Sequence, residues 1–124
     1  MLNIEREQTA AGFTICRPVG ELDAFTVSQF RQALAELTSS AQLVIDMSGV
    51  PFVDSAGLGA LIGGIRRARE LGGDVIVACN RPSLTRTLRT TGFDRIVVMV
   101  DTVEEAAVAF ETGHEQPPGE GRQP

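Results

Sequence analysis

Apolar and polar positions alternate at the start of the chain. Leu2 and Ile4 are interleaved with polar residues, Thr9-Ala10-Ala11-Gly12 turns the chain, and Phe13, Ile15 and Val19 resume the alternation. So short a separation predicts an antiparallel hairpin. Pro18 has no N–H to give a ladder, which puts its end of the strand at an edge or already leaving the sheet. After the loop Gly20-Glu21-Leu22-Asp23 the period changes. Val27, Phe30, Leu34 and Leu37 recur at steps of three and four, predicting a helix that ends at Thr38-Ser39-Ser40. Thr26 and Gln29 have capping-box spacing at its start, with Phe25 and Phe30 placed to close as a hydrophobic staple.

Leu43-Val44-Ile45, ending at Asp46, is an unbroken apolar run, the pattern of a strand covered on both faces. Beyond residues 47–55 a second helix carries Leu58, Leu61, Ile62, Ile65, Ala68 and Leu71 on one stripe. Arg66, Arg67, Arg69 and Glu70 are expected to face water, and Gly72-Gly73 ends the helix. Residues 74–79 form the next strand. Pro82 opens a short helix carrying Leu84 and Leu88 and stopped by Gly92, and residues 96–100 make a last strand. Thr102 and Glu105 have the spacing of another capping box, opening a helix with Val103, Ala106, Ala107 and Phe110 inward. From Glu111 the residues are Gly, Pro, Glu and Gln with no buried stripe, so a folded domain over 1–110 and a disordered tail over 111–124 are expected. The order β-β-α-β-α-β-α-β-α predicts an α/β fold: a mixed β-sheet, antiparallel in its N-terminal hairpin and parallel later, packed with about four α-helices.

Composition narrows the chemistry. A chain of 124 residues, 43% hydrophobic and 22% charged, is a globular chain of single-domain size that needs no disulfide or metal staple. Sixteen acids against eleven bases give a net charge of −5, which argues against nucleic acid or an anionic membrane as partner. All eleven bases are arginine. Without lysine there is no Schiff-base chemistry and no Walker-type phosphate loop. The one histidine, His114, follows the last apolar segment, which argues against a catalytic triad or a His-based metal site. Cys16 and Cys79 sit in apolar strands and read as buried, reduced thiols. No apolar run is long enough to span a membrane and Glu5-Arg6-Glu7 is unlike an export signal, so a cytoplasmic location is expected, with no cofactor.

One segment is not explained by folding alone. From Asp46 to Gly59 the chain sets two carboxylates, Asp46 and Asp54, and the Ser55 hydroxyl before a helix whose first turns contain Gly57 and Gly59. Each glycine there is worse than alanine by up to about 1 kcal/mol. Plain structural roles exist for all of them. Asp54 or Ser55 suits an N-cap, Asp46 can cap the loop after its strand, Asp23 can be a turn residue, and Gly57, Gly59, Gly63 and Gly64 can let the helix lie close to the sheet, the preferred reading for the last two.

Gly20-Glu21-Leu22-Asp23, the apolar strand ending at Asp46, Thr90-Thr91-Gly92-Phe93 and above all Val53-Asp54-Ser55-Ala56-Gly57-Leu58-Gly59 resemble the STAS domain family, and within it the bacterial anti-sigma factor antagonists. The resemblance spans roughly residues 2 to 110. It implies an antagonist that, unphosphorylated, binds a cognate anti-sigma factor and frees a sigma factor. That anti-sigma factor is also an ATP-dependent serine kinase, and a phosphatase of the PP2C type reverses the mark. Carried over, Ser55 is the phosphoacceptor and the protein is a substrate rather than an enzyme. Glu21, Asp23, Asp54, Ser55, Ala56, Gly57 and Gly59 form the partner-binding patch, Gly57 above all admitting the partner's backbone. The alternative within the family is a stressosome-like scaffold or sensory module not regulated at Ser55.

Other classes fit less well. A serine nucleophile would lack a His or Lys base in the folded part. The glycines from Gly57 to Gly63 miss dinucleotide-loop spacing and lie inside a helix. A receiver domain needs a lysine this chain lacks.

Overall fold

The computed structural model describes residues 2–113. Strands β1 (Asn3–Gln8) and β2 (Thr14–Val19) form the hairpin, followed by helix α1 (Val27–Leu37), β3 (Gln42–Asp46) and α2 (Ser55–Glu70). Then come β4 (Asp74–Ala78), α3 (Pro82–Thr90), a 3-10 turn (Phe93–Arg95), β5 (Val98–Val100) and α4 (Val103–Thr112). The strands lie in the sheet in chain order, β1 antiparallel to β2 and every later neighbour pair parallel. This is the mixed sheet with four helices that the sequence predicts.

The apolar runs are continuous because both faces are covered. In the β3–β4 register Leu43 pairs with Val75 and Ile45 with Val77. These four residues face one core with Phe30 and Leu34 of α1, Leu61 and Ile65 of α2, and Leu84 and Leu88 of α3. The intervening pair, Val44 and Ile76, faces a second core with Phe13, Ile15 and Ala106, closed by α4. There the Phe110 ring lies 5.6 Å from that of Phe13. Pairing of β2 with β3 stops at Cys16, two residues before Pro18, as a residue without an N–H requires. Both cysteines are buried and free.

Several local expectations change. Thr26 makes no side-chain cap bond to α1. Its Oγ1 donates instead to the Glu21 carbonyl at 2.9 Å, while Gln29 Nε2 donates to the Leu2 carbonyl at 2.8 Å. The staple is absent too: Phe30 is buried but Phe25 is 94% exposed. Asp23 is the reason, as its carboxylate accepts from the Phe25 and Thr26 N–H groups and fixes the turn just before the helix. Leu71 follows α2 at its C-cap and is exposed, outside the stripe. Arg69 is partly buried, and that burial lowers its pKa against the opposing pull of Asp74.

Gly64 packs on α1 rather than on the sheet, since a methyl there would come within 2.6 Å of Leu34 Cδ1, whereas Gly63 has nothing within 4 Å. The last strand begins at Val98 because buried Phe93 anchors a 3-10 turn after Gly92, whose φ of +81° requires glycine. Helix α4 continues through Thr112 and ends on Gly113 in the left-handed region. The folded part thus runs past the expected boundary at 110, and residues 114–124, His114 among them, lie outside the described residues.

Candidate functional site

Two loops at one end of the sheet build the site. The first, residues 20–26, joins β2 to α1, and the second, residues 47–54, joins β3 to α2. A single parallel bridge, Leu22 to Val53, laces them together. The Leu22 N–H donates to the Phe52 carbonyl at 2.9 Å and the Asp54 N–H to the Leu22 carbonyl at 3.2 Å. Behind it, the Gly20 N–H donates to the Gly49 carbonyl at 3.0 Å. Gly49 is held so close that a methyl group would meet the Pro18 carbonyl and Val19 at 3.1 Å. The second loop is also fixed from the other side, where Arg81 Nε donates to the Ser48 carbonyl at 2.8 Å.

Each loop carries an aspartate that orders the entrance of the helix that follows. Asp54 is the N-cap of α2, in extended backbone, and its Oδ1 accepts from the Gly57 N–H at 2.9 Å. Its Oδ2 accepts from the Ala24 N–H of the other loop at 3.2 Å. Asp23 Oδ1 accepts from the N–H groups of Phe25 at 2.9 Å and Thr26 at 3.1 Å, an Asx turn that leads into α1, whose N-cap Thr26 makes no side-chain cap bond. The bridge and these carboxylates set the entrances of α1 and α2 side by side.

Ser55 is the first residue of α2 and is exposed. It stands where backbone N–H groups lack intrahelical acceptors and the helix dipole is positive. Glu21, on the first loop, is exposed, and its carbonyl accepts from Thr26 Oγ1. Ala56 is partly buried against the core. Gly59, one turn beyond Ser55, is exposed, and a methyl group there would meet nothing within 4 Å. At Gly57 the packing role prevails over the partner-facing role that the resemblance implies. This residue is buried, and a methyl there would sit 2.5 Å from the Leu22 carbonyl and 2.8 Å from Leu22 Cγ. It is glycine so that α2 can close on the bridge, not so that a partner can approach.

Asp46 is turned away from this arrangement. Its Oδ2 accepts from Arg17 Nε at 3.1 Å and its Oδ1 from the Ser48 N–H at 3.0 Å, so it caps its own loop, as its sequence position suggests. That hydrogen bond raises the Arg17 pKa, helped by the nearby charges of Asp46, Glu7 and Glu5 and opposed by partial burial. No group of three or more metal-ligating side chains occurs among the described residues, and none of their helices is long and apolar enough to cross a membrane.

Two features escape the sequence: the Leu22–Val53 bridge, a single pair with no strand pattern, and the exposure of Phe25 and Phe52 at 94% and 51%. The signal for Phe25 is Asp23, a strong capping residue placed three before Thr26, which competes with the staple geometry.

A chain of this architecture, with a serine-bearing helix entrance tied to the first β–α loop, is a member of a defined class. Residues 3–106 match the STAS domain family, and the chain belongs to it. It is 30% identical over 113 residues to an anti-sigma F factor antagonist of Paenibacillus polymyxa, covering 89% of this chain and 96% of that one. Among solved structures it is similar to an anti-sigma factor antagonist from Mycobacterium paratuberculosis, with a TM-score of 0.82 and 26% identity over 90% of this chain and 95% of that one. The Bacillus cell fate determinant SpoIIAA in its phosphorylated form shares the fold, with a TM-score of 0.66 and 22% identity over 88% of this chain and 99% of that one.

Proposed function

We propose that this protein is a cytoplasmic anti-sigma factor antagonist switched at Ser55. Unphosphorylated, it docks on a cognate anti-sigma factor through the surface around the α2 entrance and thereby releases a sigma factor. The anti-sigma factor, acting as an ATP-dependent serine kinase, phosphorylates Ser55 and ends the dock, and a PP2C-type phosphatase restores it. The protein is the substrate of this cycle, not a catalyst. The names of the Paenibacillus and mycobacterial relatives support the antagonist role.

The observation that carries the reading is an exposed serine at the first position of a 16-residue helix, directly after its Asp54 N-cap. A phosphate there meets free N–H groups and the positive end of the dipole, an effect of about 0.3–1 kcal/mol in its favour. The fold therefore tolerates the mark. The complex does not. A group carrying about −1.5 to −2 charges beside Asp54 must be desolvated when a partner covers it, and unpaired buried charge costs several kcal/mol. About 2.7 kcal/mol already corresponds to a hundredfold loss of affinity. Partner release with an intact fold follows from that difference.

The test is to incubate the protein with its cognate kinase and ATP and measure its intact mass. One added phosphate, absent from Ser55→Ala, is expected. No mass gain, or a gain that survives Ser55→Ala, contradicts the assignment.

A further inference from the structure

We propose that Phe25 and Phe52 are the apolar anchors that seat this protein on its anti-sigma factor, entering an apolar socket bordered by a cationic side chain. The proposal rests on the antagonist reading and names the surface through which it acts. The chain has six phenylalanines. Phe13, Phe30 and Phe93 are buried and Phe110 packs on Phe13. Phe25 and Phe52 alone are largely in water, at 94% and 51% exposure. Folding makes no use of the Phe25 ring, since the staple that would bury it does not form.

Both rings are borne on the laced loops that lead to Ser55. The backbone under each is held: the Ala24 N–H by Asp54, the Phe25 N–H by Asp23, and the Phe52 carbonyl by Leu22. Aromatic groups on a pinned backbone lose little freedom on docking, which is where interface energy concentrates. Leu71 and Val108 are exposed to about the same degree as Phe52, at 51% and 56%, but lie at the far end of α2 and on α4.

Charge selects the occupant. Residues 20–26 and 47–54 hold Glu21, Asp23 and Asp54 and no basic residue. Asp54 accepts with both oxygens, at the α2 cap and at Ala24, and Asp23 accepts in the turn before α1, which makes Glu21 the carboxylate offered to a partner's Arg or Lys at the rim. A phosphate on Ser55 adds negative charge at the end of the second loop, three positions after Phe52.

The experiment is calorimetric titration of each serine-kinase anti-sigma factor of the source organism, purified, against the wild type and five variants. Phe25→Ala and Phe52→Ala should each weaken binding by about tenfold or more, and Leu71→Ala should leave it within about twofold. Glu21→Gln should weaken binding and flatten its dependence on salt. Wild-type affinity in both phenylalanine variants, with Ser55→Asp still impaired, overturns the anchors and leaves the antagonist reading standing. Failure of the wild type to bind any of these factors overturns both.

Discussion

At the scale of single residues, the glycines of α2 separate packing from partner contact. Gly57→Ala must displace the Leu22 carbonyl or its own helix, and a destabilisation of about 1–3 kcal/mol is expected. Gly59→Ala and Gly63→Ala meet nothing within 4 Å and should stabilise the protein by about 0.5–1 kcal/mol, the ordinary helix preference. Thermal denaturation of the three variants checks this directly, and equal effects at all three would contradict the packing account. The segment 54–59 stands out in the sequence because two helix-breaking residues follow a cap. Which glycine serves the fold is not legible there, because the neighbour of Gly57 is Leu22, thirty-five positions earlier. The Asp54 cap is legible, because capping depends on residues within one turn.

A second residue-scale prediction concerns Cys16, which burial pushes up to about 11 from 9.0, against a small opposing pull from Arg6. The folded state thus favours the neutral thiol. Its contribution to stability is complete below pH 9 and is lost as the pH rises toward 11. The chain has no lysine and no tyrosine, so the two cysteines are the only side chains whose ordinary range falls in that interval. Stability followed by urea unfolding should be flat up to about pH 9 and fall above it, with the fall reduced in Cys16→Ala. An unchanged alkaline profile in that variant would point to another group.

Among the secondary-structure elements, local signals locate interiors well and entrances less well. The stripe of α1 and the unbroken run of β3 are readable because period and burial report the same thing. The start of α1 departs from its spacing because two capping solutions compete over residues 23–29. Asp23 prevails: it accepts two N–H groups with one oxygen, and the staple would have required Phe25 to fold back onto Phe30. Asp23→Ala should therefore cost about 1–2 kcal/mol, while Gln29→Ala should leave the α1 cap itself undisturbed. Asp54→Ala removes both the α2 cap and the link to Ala24, and a loss of about 1–2 kcal/mol is expected by chemical denaturation. Because Asp54 joins the two entrances, that variant should also raise hydrogen exchange at Ala24 as well as at Gly57. Protection unchanged at Ala24 would show that the link is dispensable.

For the whole molecule, the sheet topology explains why a surface can be modified without loss of the fold. The two cores lie on either face of β3 and β4, and the laced loops at the end of the sheet bury Leu22, Met47 and Val50 in one of them while leaving Ser55, at the start of α2, exposed. Order and pairing of the strands are legible because short connections and right-handed parallel crossovers leave few alternatives. The bridge between residues 22 and 53 is not, because one backbone pair leaves no period in a sequence. Phosphorylation of Ser55 should shift the melting temperature by less than about 6 °C, since 1 kcal/mol moves a domain of this size by roughly 3–6 °C.

The central claim is that one mark is nearly neutral for the folded monomer and severe for the complex. It is tested most directly by titrating the cognate anti-sigma factor with Ser55-phosphorylated and unphosphorylated protein under identical conditions. A loss of affinity of about a hundredfold or more upon phosphorylation is predicted, reproduced at least tenfold by Ser55→Asp and absent in Ser55→Ala. Equal affinities for the two forms would contradict the account.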